Sequence, residues 1–522
     1  MSLSILNWLL AIVPIVLILV LMLGFRWGGS KAGAVGWAAA ILMSVLRFGA
    51  GPLLIGYSQA KAVLLSLDVL YIIWTALLLF HIANEAGAIQ VISDALLSIT
   101  HDRTVQGLLL GWMFVSFLQG MGGFGVPVAV TAPLLVGVGF SPIQAVIMAS
   151  IGHGWAVNFG SMATSFQTLM AITGLDGLYL APDAAILLGA TCLLCGMLVA
   201  LVAGGWKGLR KTLPLILVSG TVMAVVQYLL TTNGVWTLGA TGGAMSGLAV
   251  TVLILRLRAR KENAEAPSAD EPVAEAPKRS LGVALSGYVI LVALAFVINL
   301  IPPVKAFMNQ VSANLAFPAL STSYGYTTPA EMGRSIRLFG HPGAILLYSS
   351  LLAFIIYRAT GFLKPGATPT ILRNVGNGAV KSSLGILAMV GMAVVMSHSG
   401  MTSLLAEGLS RGVGRTLYPA AAPFIGALGA FITGSNNNAN VLFGVLQQNT
   451  AELLGLSVPL ILGAQTAGAS LGSIFAPAKV IVGCSTVGLA NQEGSVMGKI
   501  LAYGGATIVF VALLTMLMFW LG

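Results

Sequence analysis

Residues 431–440 read Phe-Ile-Thr-Gly-Ser-Asn-Asn-Asn-Ala-Asn (FITGSNNNAN) and follow the apolar run PAAAPFIGALGA (419–430). Four amides and two hydroxyls stand in ten residues without one charge, in a chain whose mean hydropathy is +0.96. Hydrophobic residues make up 57% of the 522 and charged residues 8%, the latter about a third of the usual share. Apolar runs long enough to cross the roughly 30 Å core of a bilayer recur along the whole length. In such a medium a cluster of amides is expensive unless it is enclosed by protein or lines a water-filled cavity. This stretch is therefore read as a polar tip held at depth, and the chain as a polytopic, all-α membrane protein.

On either side of the tip, the apolar runs predict about twelve crossings, near 4–25, 32–55, 62–86, 141–175, 181–203, 212–231, 234–255, 281–301, 343–361, 377–398, 458–488 and 499–521. Residues 104–138 and 416–456 fit differently: each holds two short apolar arms around a Gly-rich or Asn-rich tip, which predicts a re-entrant hairpin. The first run lacks a basic n-region and is too long for a signal h-region, so it is read as a retained span. Basic clusters mark cytoplasmic loops. Arg26 with Lys31, Arg103, Lys207 with Arg210 and Lys211, the 256–280 segment, and Arg358, Lys364 and Arg373 all fall on one side when both termini face outside. The net charge of +10 is thus a topology signal, with no aromatic-interleaved basic patch to suggest nucleic acid. Cys192, Cys195 and Cys484 lie in apolar runs and read as small buried residues rather than a redox or zinc motif.

An internal repeat follows. FLQGMGGFGVPVAV (117–130) lies over FITGSNNNANVLFG (431–444), NFGSMATSF (158–166) over SLGSIFAPA (470–478), and NEAGAIQVISDALLSI (84–99) over SHSGMTSLLAEGLSRG (397–412). Gly120 and Gly174 are 54 residues apart, as are Gly434 and Gly488. Seven crossings separate the two copies, so the second is inverted, the architecture of secondary transporters with a midplane site. The expected organisation is a first span and loop (1–31), repeat 1 (32–203), connecting spans with a cytoplasmic linker at 256–280 and an external loop at 303–342 (204–342), and repeat 2 (343–522). The linker, with six basic and five acidic residues, reads as a disordered tether, and the external loop as an ordinary packed loop.

Paired tips and paired helix breaks suit a small anion. Half-helix N-termini present N–H groups and partial positive charge, glycines permit close approach, and Asn, Gln and Ser donate and accept without bringing charge into the membrane. The expected ligand set is Gln119, Gly120, Gly123 and Gly125 at the first tip, Gly160 and Ser161 at the first break, Ser435, Asn436, Asn437, Asn438 and Asn440 at the second tip, and Gly472, Ser473 and Lys479 at the second break. Interhelical polar packing is the competing account of the same amides. Among embedded cations, Lys479 stands near the second break; Arg47 and Lys381 sit closer to span ends. Ten of the fifteen acidic residues lie outside the linker, and of these Asp68 is a candidate coupling group. His153, in SIGHGWAVNFG (150–160), is another, because imidazole titrates near neutrality.

FLQGMGGFGVPVAVTAPLLVGVGFSPIQA (117–145), FITGSNNNANVLFGVLQ (431–447) and AGASLGSIFAPAKVIVGCSTVGLANQEG (467–494) resemble the bacterial L-lactate permease family. The layout is more remotely similar to the divalent-anion sodium symporters. The resemblance implies uptake of lactate or a related 2-hydroxy monocarboxylate such as glycolate with protons, across the bacterial inner membrane, with no cofactor beyond a coupling proton or sodium ion. It places the first tip at Gly120–Pro127, the second at Gly434–Asn440, and the breaks at Phe159–Met162 and Gly472–Pro477. It also implies an acid in the first tip and an Asp after Gly-Ser in the second. This chain has Gln119 and Asn436 there, and a carboxamide cannot titrate. A sodium-coupled or sulfonate-type organic-anion carrier and an uncoupled anion channel remain alternatives. Membrane lipid is an expected partner and oligomerisation is left open. GASLG (468–472) matches a G-x-S-x-G nucleophile pattern but lacks the strand–turn–helix setting and a His–acid pair; without a P-loop or paired carboxylates, neither an enzyme nor an ATP-driven pump is expected.

Overall fold

A computed structural model describes residues 4–25, 27, 29–122, 125–265, 279–332, 335–489 and 493–521. Ile5–Leu23 (α1) precedes a first series: Gly29–Leu46 (α2), Pro52–Glu85 (α3), the short Ala88–Leu97 (α4), Arg103–Leu108 (α5) running through a π-turn at Leu109–Phe114 into Val115–Met121 (α6), Val126–Gly137 (α7), Pro142–Gly152 (α8), Thr164–Thr173 (α9), and the first leg of Gly177–Thr232 (α10). The second leg of α10, Gly239–Glu265 (α11), Leu281–Leu300 (α12) and Pro302–Met308 (α13) form a connection. A second series follows: Pro342–Ala359 (α14), Ala367–His398 (α15), Met401–Thr433 (α16), Asn436–Leu454 (α17), Val458–Gly472 (α18), Pro477–Thr486 (α19) and Glu493–Leu521 (α20).

Glycine ends or bends many of these elements because only it enters the left-handed region without strain. Gly205 (φ 61°) divides α10 into two legs, and Gly414 (φ 75°) divides α16. Left-handed glycines fall at corresponding joints of the two series: Gly49 and Gly361, Gly87 and Gly400, Gly125 and Gly434, Gly139 and Gly455, Gly174 and Gly488. Polar caps start the helices between them, Asp102 at α5, Ser141 with a Gln144 capping box at α8, Ser435 at α17 and Ser457 at α18.

Among the described residues nine helices are long and apolar enough to cross a bilayer. The longest of them, α10, is the pair expected at 181–203 and 212–231, joined without a loop. The core runs through both series. The face of α3 bearing Leu65, Val69 and Ile73 packs on Met389, Val390 and Val394 of α15. A larger cluster centres on Trp112, Phe114, Trp155, Phe159 and Phe166.

α5–α6 with α7, and the second part of α16 with α17, are helical hairpins. In the first, the Arg103 guanidinium donates to the Gly139 carbonyl and lies 4.7 Å from the Phe140 ring centroid, so the outer ends meet. In the second, Gln447 Nε2 donates to the Ala422 carbonyl at 3.2 Å. The start of α5 and the α3–α4 joint are each met by a basic residue. Lys211 pairs with Asp102 at 2.5 Å, and Arg279 bonds the Ala86 carbonyl at 3.1 Å while resting on the Phe362 ring.

Two expectations change. The stretch 303–342 is not irregular: after α13 it forms a narrow antiparallel ribbon in which Ser312–Ala313 pairs with Ile336–Arg337, Ala316–Phe317 with Glu331–Met332, and Leu320–Ser321 with Thr327–Thr328. The helical body therefore carries one β-element. Ser323 N–H donates to the Gly49 carbonyl at 2.9 Å and the Tyr326 hydroxyl meets Ser403 at 3.0 Å, tying the ribbon down. Helix α11 also runs on to Glu265, into the expected linker; residues 266–278 of that linker lie outside the described residues.

Candidate substrate site

The tips of the two hairpins and the two interrupted helices meet at one place. Gln119 comes from the end of α6, Val157, Ser161, Thr164 and Ser165 from the α8–α9 break, Gly434, Ser435, Asn436 and Asn437 from the α16–α17 tip, and Lys479 from α19. Together they line a partly open chamber of about 30 Å³, room for a water or two.

Each break has a local cause. α8 stops at His153, a short turn covers Gly154–Ala156, and three non-glycine residues in a row, Ser161, Met162 and Ala163, take φ of 47°, 56° and 58°. Such a left-handed run costs of order 1–2 kcal/mol per residue and persists here because Gln119 and Gly120 hold it. The Gln119 carbonyl accepts from Ser161 N–H at 2.8 Å and that of Gly120 from Met162 N–H at 3.2 Å. α18 gives way at Ser473–Phe475 and restarts at Pro477, whose fixed φ suits a first helical turn.

Buried amides and hydroxyls lock these pieces together. Ser165 Oγ donates to Asn437 Oδ1 at 2.5 Å, and Asn440 Nδ2 donates to the Ser165 carbonyl at 3.0 Å and to Thr466 Oγ1 at 2.9 Å. Thr466 in turn donates to Asn158 Oδ1 at 2.6 Å, and Asn436 Nδ2 donates to Ser470 Oγ at 2.9 Å. Lys479, 7% exposed, donates from Nζ to Ser473 Oγ at 2.9 Å. Among the described residues no acidic side chain lines the chamber. Two polar atoms on its wall residues have no partner among the described residues, Gln119 Oε1 and Asn437 Nδ2: one acceptor and one donor.

The expected ligand residues separate into groups. Gln119, Ser161, Ser435, Asn436, Asn437 and Lys479 line the chamber. Ser473 holds Lys479, and Gly125 (φ 89°) lies against the Lys479 side chain. Asn440 braces from behind, and Asn438 N–H donates to the Ser435 cap. Gly120, Gly160 and Gly472 do not line the chamber but allow close packing: a Cβ there would stand 2.3 Å from Thr241 Oγ1, 2.5 Å from the Ala156 carbonyl oxygen and 2.3 Å from that of Ala427. Gly123 lies outside the described residues.

Of the coupling candidates, His153 is fully enclosed behind the chamber, within electrostatic reach of Lys479. Its Nδ1 donates to the Ala149 carbonyl at 2.7 Å, and Nε2 has no partner among the described residues. Asp68 lies away from the chamber. His341 Nδ1 accepts from Gly343 N–H at 3.1 Å, so its Nε2–H donates to Asp68 Oδ1 at 3.0 Å. The ring stacks on Tyr71, and the pair anchors the start of α14. Arg47 is turned to Asn7 Oδ1, 2.8 Å from its Nη2.

Sequence reasoning missed Asn158, Ser165, Thr466 and Ser470. Each stands near other polar residues, Ser165 beside Thr164 in α9 and Thr466 beside Gln465 in α18, and its signal is its depth rather than any motif. A larger cleft, about 570 Å³, opens beneath the β-ribbon between α16 and α17, with Glu407 and Glu452 on its walls and no basic side chain. Arg411 pairs with Glu407 at 2.5 Å, which leaves the Glu452 carboxylate and no lining cation to meet an anion, so the smaller chamber with Lys479 on its wall is the better candidate.

Comparison with known proteins places the chain in a family. A family profile described as L-lactate permease matches residues 7–522. The chain is 29% identical to the L-lactate permease of Bacillus subtilis, over 98% of this chain and 96% of that one. It is 28% identical to the glycolate permease GlcA of Escherichia coli, over 94% and 91%. A solved structure of the Alcanivorax borkumensis YdaH transporter aligns over 89% of this chain and 87% of that one, at 15% identity and a TM-score of 0.49. The match across nearly the whole chain makes this protein a member of the L-lactate permease family, a multi-pass membrane permease and not an enzyme.

Proposed function

We propose that the protein imports lactate, glycolate or a closely similar 2-hydroxy monocarboxylate across the bacterial inner membrane by cation symport. The observation that carries this reading is the buried Lys479 amino group among neutral amides and hydroxyls, which when protonated is a cation with no anion among the described residues of the chamber wall. A carboxylate is the counter-charge such a cation lacks. The unpartnered Asn437 Nδ2 and Gln119 Oε1 offer a further donor for the carboxylate and an acceptor for the adjacent hydroxyl. Relatives named for lactate and for glycolate carry the same chemistry in their names.

At about 30 Å³ the chamber is tight for such an anion, and loading widens it as the tips part. The parallel order of the two helix series and the matched left-handed glycines support two inverted repeats with re-entrant hairpins, units of 32–203 and 343–522. Twelve crossings with both termini outside then place the Arg103, Lys211 and Arg279 end in the cytoplasm, and alternating access follows from moving one hairpin-and-break bundle against the other.

Uptake of radiolabelled lactate and glycolate into proteoliposomes under imposed proton or sodium gradients tests this. Concentrative uptake is the expected result. Filling only to equilibrium under every gradient would make the protein a channel, and no entry of either anion would overturn the substrate assignment.

A further inference from the structure

The proposed symport leaves a chemical gap: the hairpin tips hold Gln119 and Asn436, neither of which can bind and release a proton. Among the residues that wall the chamber, Lys479 alone is titratable. Resting on the assignment of the chamber to a hydroxy-monocarboxylate, we propose that Lys479 is itself the proton carrier of the transport cycle. Its amine takes a proton as the carboxylate enters and returns it as the carboxylate leaves on the other side.

The surroundings of Lys479 favour this. Its Nζ has Ser473 Oγ at 2.9 Å, and the Ser473 hydroxyl donates its own hydrogen bond to the Ser470 carbonyl at 2.9 Å. The ammonium is thus given one hydroxyl and no carboxylate. Helix α7, packed against α19, carries no titratable residue, and the Ser473–Phe475 turn carries none. From α8 the facing group is His153, neutral or cationic but never an anion. From α20 the ionisable groups are Glu493, beside Cys484, with the exposed Lys499 and with Tyr503. From the tips come Gln119, Ser435, Asn436 and Asn437, all neutral.

An enclosed charge without a counter-charge is costly, and more so at membrane depth. Two forms of the closed chamber avoid it: ammonium with carboxylate, and amine alone. The loaded carrier crosses as the first and the empty carrier returns as the second. Each cycle then moves one anion and one proton in the same direction, with no net charge moved, and a site without acids is proton-coupled.

The test uses the full-length protein in proteoliposomes and radiolabelled L-lactate. Wild type should accumulate label up to about tenfold for each pH unit of inward acid gradient, with no response to a potassium diffusion potential. Lys479→Arg keeps a cation that cannot be discharged. It should still exchange external label for internal lactate, at a reduced rate, while gradient-driven accumulation falls to the equilibrium level. His153→Gln should keep accumulation. As a check independent of any variant, lactate binding to the purified wild type in weak buffer at alkaline pH should take up close to one proton per anion bound.

Accumulation by Lys479→Arg at the wild-type level would overturn the proposal. So would accumulation that follows sodium or membrane potential instead of pH, loss of accumulation but not exchange in His153→Gln, or binding without proton uptake at any alkaline pH. A wild-type protein that exchanges neither lactate nor glycolate would overturn the substrate reading, and this one with it.

Discussion

Replacing Thr466 by valine keeps the shape of the side chain and removes one hydroxyl, from which α18 reaches both the first break and the second hairpin. Thr466 and Asn158 are both fully buried. Without the hydroxyl, Asn158 Oδ1 loses its 2.6 Å bond, and Asn158 Nδ2 already has no partner among the described residues. A buried acceptor left unsatisfied costs about 1–3 kcal/mol. Asn440 loses one bond of two, since its amide still reaches the Ser165 carbonyl; measured side-chain bonds between membrane helices suggest about 0.6 kcal/mol for that. The expected total is about 2–4 kcal/mol. Because Ser165 and Asn436 stand on the chamber wall, the loosened frame should also weaken substrate binding by about tenfold or more. Thermal melting in detergent with and without lactate, and half-saturation of lactate exchange, measure the two parts. A double-mutant cycle with Asn158→Ala should show coupling above about 0.5 kcal/mol. Melting indistinguishable from wild type, or strict additivity in the cycle, would refute the assignment of Thr466 as the hub.

Asn436→Ala should raise the half-saturation for lactate about tenfold or more, whereas Asn438→Ala, outside the chamber wall, should change it by less than about threefold; the reverse order, read by exchange assays, would place the ligand on the wrong side of the tip. Gly468→Ala would set a Cβ 2.0 Å from the Pro423 carbonyl oxygen, forcing α16 and α18 apart, with an expected loss of about 1–3 kcal/mol and a melting temperature lowered by several degrees. At Asp102, burial raises the carboxyl's proton affinity, but the bonds from Lys211, Val105 and Thr104 outweigh it and hold the group below its ordinary 3.8. The stabilisation it gives is therefore present at neutral pH and lost as pH falls through that lowered value. Asp102→Asn should melt earlier than wild type at pH ~7, with the gap closing in acid.

The second tip was legible because its chemistry is concentrated: four amides in ten apolar-flanked residues leave few physical solutions, and Asn436 and Asn437 do stand on the chamber wall. Lys479 was legible for a similar reason, a lone cation two residues beyond a helix-breaking proline. The partners of these groups were not. Asn158 and Thr466 are 308 residues apart in the chain, and each alone looks like an ordinary polar residue in an apolar helix. The glycines misled in an instructive way. Gly120, Gly160 and Gly472 mark close approach, but of helix to helix rather than backbone to ligand, and composition has no means of telling those apart. The β-ribbon was missed because its strands are two residues each, too short for any alternation to register. Asp68 read as an isolated membrane acid only because its histidine, 273 residues away, belongs to what looked like a loop.

The left-handed run at Ser161–Ala163 has a consequence for how the sequence can drift. Glycine at any of the three positions would relieve local strain, and a screen that selects for thermostability should be drawn to them. Yet the same run sits between α8 and α9 with Ser161 on the chamber wall, and if the proposed cycle moves this break, relaxing it should favour the arrangement described here over the others. Variants that relax it should be sturdier proteins and slower carriers. Here, selection for endurance and selection for turnover pull on the same three residues in opposite directions.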